Sequence, residues 1–255
     1  MKTKEEIKEF TYFIADYASC LLGSGVHTSR VVRNSNRIAN ALGMQIRMTT
    51  FPNSIILTVS DPNGDNMYTE VVHPQHLPIN FVYNAEMSSL SWAAVDNALT
   101  LEDIKLRFNA LKAQPRINPN LLVLLVGLAN ASFCRLFGGD LLAVLVVFVS
   151  TMVGFYLRLV LQKKGVNHFV VFTTAAFVTS VLASFSIYFD QTAEVAIATS
   201  VLYLIPGVPL INGVIDILEG HTLSGGSRLV QAFLLILCVA IGLSASLFIF
   251  QNNLL

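Results

Sequence analysis

The chain has 255 residues, of which 54% are hydrophobic, and it carries 16 basic and 16 acidic side chains. A net charge of zero without a basic stripe argues against a nucleic-acid partner. The charges are unevenly placed, because residues 1–118 hold 11 of the 16 basic and 11 of the 16 acidic residues. The composition therefore predicts a soluble domain over residues 1–118 and a membrane domain over residues 119–255.

Two helices are predicted at the start of the chain. Apolar residues recur at helical spacing over residues 4–22, and Gly23-Ser24-Gly25 is typical of a helix end. Thr28 is placed to cap a second helix, which Gly43 would end. The charged N-terminus lacks the uninterrupted apolar core and cleavage site of a signal peptide, so we expect no such leader.

Three strands and two further helices complete the predicted N-terminal domain. The turn sequence Asp61-Pro62-Asn63-Gly64 separates the second strand from the third. Thr100 and Asp103 come close to a capping box at the start of the last helix. These signals predict an α/β domain with strands at 44–50, at 54–60 and up to Val72, and helices at 83–98 and 101–114.

Apolar stretches of membrane-spanning length follow residue 118. Most of them reach the roughly 20 residues that a helix needs to cross a bilayer. The fourth is interrupted by Pro206, Gly207 and Pro209, which remove backbone hydrogen bonds where lipid supplies no replacement donors. We therefore predict an α+β membrane protein whose cytoplasmic α/β domain precedes a five-helix transmembrane bundle, with spans at 119–137, 141–161, 168–188, 195–218 and 229–250.

The charges of the loops predict one orientation. Basic residues gather before the first span, around the loop after the second span and before the last span: Lys105, Arg107, Lys112, Arg116, Arg158, Lys163, Lys164 and Arg228. The alternate loops, residues 138–140 and 190–194, carry acidic residues and no basic ones. The positive-inside rule then places the N-terminal domain in the cytoplasm and the C-terminus outside.

The interrupted fourth span carries a polar stripe. Asn212, Asp216 and Glu219 follow at i, i+4 and i+7, so a helix that resumes after Pro209 places them on one face. Broken helices of this kind bind polar solutes in transporters, and a carboxylate in the membrane is a candidate functional group. The alternative is that Glu219, and with it Asp216, lies at the wet cytoplasmic end of the span.

Two arginines near span ends have two interpretations each. Arg135, near the outer end of the first span, is placed to bind a carboxylate, either of a substrate or of Asp140. It could equally snorkel to the outer headgroups. Arg158 lies close to the inner surface, where we favour snorkelling.

Other motifs carry less weight. Residues 23–29 (GSGVHTS) form a glycine turn before a helix, which could hold an anion, but a structural turn is the favoured interpretation. His73 and His76 lack a third metal ligand, and the separated Cys20, Cys134 and Cys238 show no pairing motif. We predict no metal, no cofactor and no enzymatic activity, since neither a nucleophile elbow nor a pair of intramembrane aspartates is present in the sequence.

Four segments carry a resemblance to a known family. They are residues 22–30 (LGSGVHTSR), 38–44 (IANALGM), 54–58 (SIILT) and 205–213 (IPGVPLING), the last followed by Asp216, Gly220 and His221. The chain resembles the threonine/serine exporter (ThrE) family, and in particular the YjjP-like larger subunit of its split form.

The resemblance implies export across the inner membrane of threonine and serine or of small carboxylates such as succinate. It implies a drive from the proton gradient or the membrane potential. Single-chain members of the family continue for about five more spans, so the resemblance also implies a second small multi-span membrane subunit as partner in a hetero-oligomer.

The predicted mechanism is alternating access at the broken span. The peptide groups of residues 206–209 and Asn212 would bind the solute, and Asp216 would exchange a proton once burial had raised its pKa. A rival interpretation is a membrane-anchored sensor or assembly protein without transport activity. An enzyme is the third alternative.

Overall fold

The computed structural model describes residues 3–51, 53–74, 77–115, 117–188 and 192–250. The chain divides into two compact units: unit 1 is Met1–Pro115 with Val208–Val230, and unit 2 is Arg116–Gly207 with Gln231–Leu255. The domain boundary at residue 118 remains a prediction. In the structure, residues 208–230 pack with residues 1–115 in unit 1. Predictions that involve His76, Arg116, Asp190 and Gln191 lie outside the described residues.

Unit 1 begins with two helices, α1 (Lys4–Gly23) and α2 (Thr28–Ala41). Thr3 and Glu6 form a capping box at the start of α1, in which each side chain accepts from the other's backbone N–H. The inner face of α1 is fully buried and provides much of the core, through Ile7, Phe10, Ile14, Tyr17 and Leu21. Both predicted helices are confirmed.

The sheet of unit 1 is an antiparallel meander. Its strands are β1 (Gln45–Phe51), β2 (Ser54–Ser60) and β3 (Met67–Val72), with β2 in the centre. Ile55, Leu57 and Val59 alternate along β2 and are fully buried, so one face of the sheet packs into the core. The three predicted strands are confirmed, and their antiparallel order makes the arrangement α+β.

Two further helices, α3 (Phe81–Asp96) and α4 (Leu101–Lys112), pack on the same core. The predicted capping box at α4 is present, since Thr100 and Asp103 exchange side-chain to backbone hydrogen bonds. The Tyr17 hydroxyl donates to the carbonyl of Met87 at 2.7 Å, which ties α1 to α3. The core of unit 1 therefore joins α1 to the sheet and to α3 and α4.

Unit 2 consists of apolar helices: α5 (Pro119–Leu136), α6 (Leu141–Lys163), α7 (His168–Ser184), α8 (Ala193–Ser200) and the later part of α10 (Thr222–Phe250). Gly154 of α6 faces α7, where an added Cβ would overlap the Thr179 hydroxyl. Gly242 of α10 likewise meets the carbonyl of Thr173. Small residues thus let these helices approach closely, as in membrane bundles.

Within the described residues, four helices are long and apolar enough to cross a membrane. They are α5, α6, α7 with its 3-10 extension to Tyr188, and α10, and a fifth span arises if Ala193–Leu204 and α9 (Gly207–Leu218) form one bent span. In α5, α6 and α10 only 28% of the most apolar window is buried. The remaining apolar surface suits lipid better than water. The chain is thus a multi-pass membrane protein, and the bounds of its individual spans remain predictions.

The last helix begins earlier than its predicted span. We predicted a span from residue 229 with Arg228 before it, but α10 starts at Thr222, so Arg228 lies within the helix. Gly225 lies in this added part of α10, where a Cβ would come within 2.6 Å of the Gly213 carbonyl of α9. Gly213 and Gly225 therefore permit a tight helix crossing in unit 1.

Candidate functional site at the interrupted helix

The predicted interruption lies between α8 and α9. A 3-10 turn, Leu202–Leu204, follows α8, and Pro206 then precedes the first residue of α9. Pro209 sits in the first turn of α9, where backbone N–H groups have no acceptor within the helix. The two prolines therefore end one helix and start the next without removing a hydrogen bond from a continuous ladder.

The Asp216 carboxylate is fully buried and lies at the N-terminus of α2. It accepts from the Thr28 backbone N–H at 2.7 Å and from the Thr28 hydroxyl at 3.1 Å. The Arg228 guanidinium forms an ion pair with it, with Nε 3.3 Å from Oδ2. A carboxylate at a helix N-terminus interacts favourably with the helix dipole and the unpaired N–H groups.

Thr28 does not cap α2, contrary to the prediction. The N-cap position is His27, and its side chain makes no capping hydrogen bond. Thr28 is the first helical residue, and both of its donors face Asp216. The cap of α2 is therefore supplied by a carboxylate 188 positions further along the chain.

Two more hydrogen bonds hold the turn before α2 against α9 and α10. The Asn212 amide donates to the Gly25 carbonyl at 2.6 Å, and Arg228 Nη2 donates to the Val26 carbonyl at 3.0 Å. Gly25 has φ +87°, a conformation that favours glycine. We call Gly25, Val26, Thr28, Asn212, Asp216 and Arg228 the Asp216 cluster.

Glu219 extends this contact beyond the end of α9. It forms an ion pair with Arg33 at 3.1 Å, and its Oε2 lies 3.3 Å from Nδ1 of His27 without hydrogen-bond alignment. A hydrogen bond from Ser29, then Arg33 and His27, lower the pKa of Glu219. Burial lowers the pKa of His27, although Glu219 beside it acts in the opposite direction.

Asn212, Asp216 and Glu219 thus share one face of α9, and all three contact residues 25–33. Their roles in a solute pathway remain predictions. Sequence reasoning considered residues 23–29 as an anion site but favoured a structural turn, and it did not pair them with Asp216 or select Arg33 and Arg228 as partners. The signals were a glycine turn before a helix and a carboxylate in an apolar stretch, and nothing in the sequence links the two.

Arg135 belongs to unit 2 and has a local partner. It lies in the last turn of α5, is exposed, and donates to the Gly139 carbonyl at 3.0 Å. Gly138, with φ +90°, turns the chain from α5 toward α6. Arg135 therefore helps to close this turn, and its role in solute binding stays a prediction.

A buried asparagine in unit 2 donates hydrogen bonds to the last carbonyls of α8. The Asn130 amide nitrogen lies 2.7 Å from the Thr151 hydroxyl and 3.1 Å from each of the Thr199 and Ser200 carbonyls. The last carbonyls of a helix have no partner within the helix, and lipid offers none. Asn130, which sequence reasoning did not select, thus satisfies the backbone just before the interruption.

The described ranges contain no cluster of candidate metal ligands. No three side chains of His, Cys, Asp or Glu within them are placed to hold an ion. His73 Nδ1 lies 2.6 Å from the Asn53 carbonyl, so this ring is engaged by its own loop.

Comparisons with known proteins agree with one another. Residues 12–250 match the model of the ThrE family, described as "Putative threonine/serine exporter". A relative from Klebsiella aerogenes, "Probable succinate transporter subunit YjjP", is 31% identical over 243 residues, which cover 94% of this chain and 93% of the relative. The protein of the same name from Escherichia coli (strain K12) is 30% identical over 232 residues, 89% of each chain. No solved structure matches the chain.

Proposed function

This chain belongs to the ThrE family, and from that membership we propose that it is one subunit of an inner-membrane exporter of small carboxylates such as succinate, or of threonine and serine. The observation that carries the proposal is the similarity to two proteins named "Probable succinate transporter subunit YjjP" over nearly the full length of all three chains. The apolar helices supply the spans that such a role requires.

The proposal includes a second membrane subunit. Both relatives are named as subunits, which supports a partner protein. The proposed partner is a small multi-span protein that supplies the remaining wall of the solute pathway. We also propose that the N-terminal domain is cytoplasmic, which the basic residues near the ends of the first and second spans support, among them Lys112, Lys163 and Lys164.

In the proposed mechanism, the interrupted helix moves and the Asp216 cluster controls that movement. Protonation of Asp216 would remove its ion pair with Arg228 and weaken its bonds with Thr28, which would release α9 from the start of α2. Asn212 would then exchange its bond with Gly25 for the solute or water. The remaining residues of the proposed pathway are Pro206, Gly207, Pro209, Glu219 and Arg135.

Efflux of labelled succinate, threonine and serine tests the proposal. Cells that express this chain with its partner subunit should release at least one of these solutes faster than cells that lack both, and a proton uncoupler should reduce the rate. If none of the three is released faster, the chain is not an exporter of these solutes. A membrane-anchored sensor without transport activity would give that negative result.

The proton-coupling role is tested separately with Asp216→Asn. This variant keeps the shape of the side chain but cannot release a proton, so we expect net efflux to fall at least about tenfold and to lose its response to the proton gradient. The Asp65→Asn variant, which changes an exposed aspartate in the turn after β2, serves as the matched control and should leave efflux unchanged. Unchanged efflux and gradient dependence in Asp216→Asn would exclude the role.

A further inference from the structure

Arg158 is a cation inside a candidate membrane span. It lies on α6, five residues before the helix ends at Lys163. Its Nε is buried and has no hydrogen-bond partner among the described residues. A charge in this position is costly unless it has a function, because lipid cannot solvate it.

Other charged residues of unit 2 lie in places that explain them. They occur in turns or in the first or last turn of a helix, where water or headgroups are within reach: Arg135, Asp140, Lys163, Lys164 and Glu194. Arg158 differs from them because its guanidinium is directed between helices.

Aromatic rings hold the Arg158 guanidinium in place. Its Cζ lies 4.6 Å from the centre of the Phe172 ring and 5.8 Å from the centre of the Phe155 ring. A cation over a ring forms no hydrogen bond with it, so the guanidinium keeps its N–H donors for other partners. Snorkelling alone, which the sequence favoured, does not account for a guanidinium that contacts two rings and has a buried Nε.

Tyr203 shares an aromatic neighbour with this arginine. The Tyr203 ring packs edge-on against Phe155 with centroids 6.0 Å apart, and Phe155 is one of the two rings that the Arg158 guanidinium contacts. Its hydroxyl is 2.9 Å from the Thr179 hydroxyl, which itself donates to the Ala175 carbonyl at 2.7 Å. Tyr203 is therefore the donor in the shared bond, and rotation of its O–H can redirect that donor to a ligand.

Gly154 makes room for this hydroxyl pair. A Cβ at residue 154 would come within 2.5 Å of the Tyr203 hydroxyl and would also overlap Thr179. The position therefore combines a planar cation, a hydroxyl donor and a backbone without a side chain in the way. These groups match a carboxylate, which accepts two parallel hydrogen bonds from a guanidinium.

We infer that Arg158 and Tyr203 form a carboxylate-binding site for the exported solute within unit 2. The inference rests on the proposed function and adds to it where one carboxylate of the solute binds. Arg158 forms the paired hydrogen bonds, and Tyr203 donates a third. Phe155 and Phe172 position the guanidinium but do not contact the polar end of the solute.

Ligand-dependent stability of the purified full-length chain with its partner subunit tests the site. The variants are Arg158→Gln and Arg158→Lys, with Lys164→Gln as the matched control because it removes a cation from the exposed end of the same helix. Succinate, threonine and serine are the probes, and the melting temperature with and without each probe is the measurement.

We expect a probe that stabilises the wild type to bind Arg158→Gln about 10- to 100-fold more weakly, since a charge-assisted hydrogen bond is lost. The affinity of Arg158→Lys for the probe should lie between those of the wild type and Arg158→Gln. Lysine keeps the charge but lacks the paired N–H donors of a guanidinium. Lys164→Gln should bind within about twofold of the wild type. Without ligand, the melting temperature of Arg158→Gln should not fall, because the variant removes a half-buried cation whose buried Nε has no acceptor among the described residues.

The contrary outcomes are distinct. Wild-type binding by Arg158→Gln overturns the site while leaving the proposed function intact. A lower melting temperature with normal binding shows a structural arginine and also overturns it. If phosphatidylglycerol, but none of the solutes, stabilises the wild type through Arg158, the site binds lipid phosphate. A wild-type complex that neither binds nor exports any of the three solutes overturns the proposed function together with the site.

Discussion

Unit 1 and unit 2 each contain a charged side chain within an apolar helix, but the two charges have different surroundings. Asp216 in unit 1 is fully buried and meets two donors of Thr28 and the guanidinium of Arg228. Arg158 in unit 2 is half-buried and contacts two aromatic rings, and its buried Nε has no acceptor among the described residues. A buried charge with all its partners stabilises the contact it makes, whereas one without partners needs a ligand to explain it.

The largest expected effect is the loss of stability on removal of Asp216. Asp216→Ala leaves Arg228 without its carboxylate and Thr28 without its acceptor, so we expect a cost of about 3–5 kcal/mol in the free energy of unfolding. Chemical unfolding of the purified chain, followed by circular dichroism, measures this change.

A substitution of Arg158 in unit 2 is the control for Asp216→Ala. Arg158→Met should leave the free energy of unfolding unchanged or raise it slightly, because no partner is stranded. Adding Arg228→Met to Asp216→Ala should recover part of the loss, since the uncompensated cation is then gone too. Equal losses for Asp216→Ala and Arg158→Met would show that the two charges do not differ in the way described.

A smaller effect is expected at the helix crossing that positions Asp216. Gly225→Ala would bring a Cβ to 2.6 Å from the Gly213 carbonyl and 2.9 Å from the Ile217 backbone nitrogen. Such overpacking should cost about 1–3 kcal/mol. The neighbouring Gly226 has no atom within 4 Å of an added Cβ, so Gly226→Ala should instead stabilise α10 by up to about 1 kcal/mol. Equal effects of the two substitutions would contradict the crossing.

The smallest expected effect is a dependence on pH near the start of α2. Burial lowers the pKa of His27, whose charged neighbours are Glu219, Arg33, Asp216 and Arg30. The unfolded chain, with a histidine pKa of about 6.5, then binds a proton before the folded chain does as the pH falls. Stability should therefore decline as the pH falls from about 7 through the lowered pKa of folded His27.

His27→Gln should flatten this part of the profile in melting curves recorded between about pH 7 and pH 5. The lowered pKa of Glu219 acts with the same sign at still lower pH, because its carboxylate is stabilised in the folded chain. A decline near pH 6 that is equally steep in His27→Gln would assign the effect to another group.

Local signals in the sequence predicted most of the elements. The capping box of Thr100 and Asp103, the strand alternation and the prolines at residues 206 and 209 each act within a few residues, and the structure contains the features they predicted. The spacing of Asn212, Asp216 and Glu219 also placed them correctly on one face. The family resemblance is confirmed by the match over residues 12–250.

The contacts of these residues could not be predicted in the same way. Asp216 meets Thr28 across 188 positions, and periodicity carries no information about such pairs. Arg228 was placed before the last span, because only the structure shows that α10 begins at Thr222 and crosses α9 at Gly225. Arg158 was interpreted as a snorkelling residue, since the positions of Phe155 and Phe172 around it depend on packing between helices.

The most direct test of the account separates net efflux from exchange in proteoliposomes that contain this chain and its partner subunit. Labelled succinate measures both, with unlabelled succinate on the opposite side for exchange. We predict that Asp216→Asn loses net efflux driven by the proton gradient but keeps exchange, whereas Arg158→Gln loses both. Retention of exchange by Arg158→Gln, or loss of exchange in both variants alike, would contradict the assignment of coupling to Asp216 and of binding to Arg158.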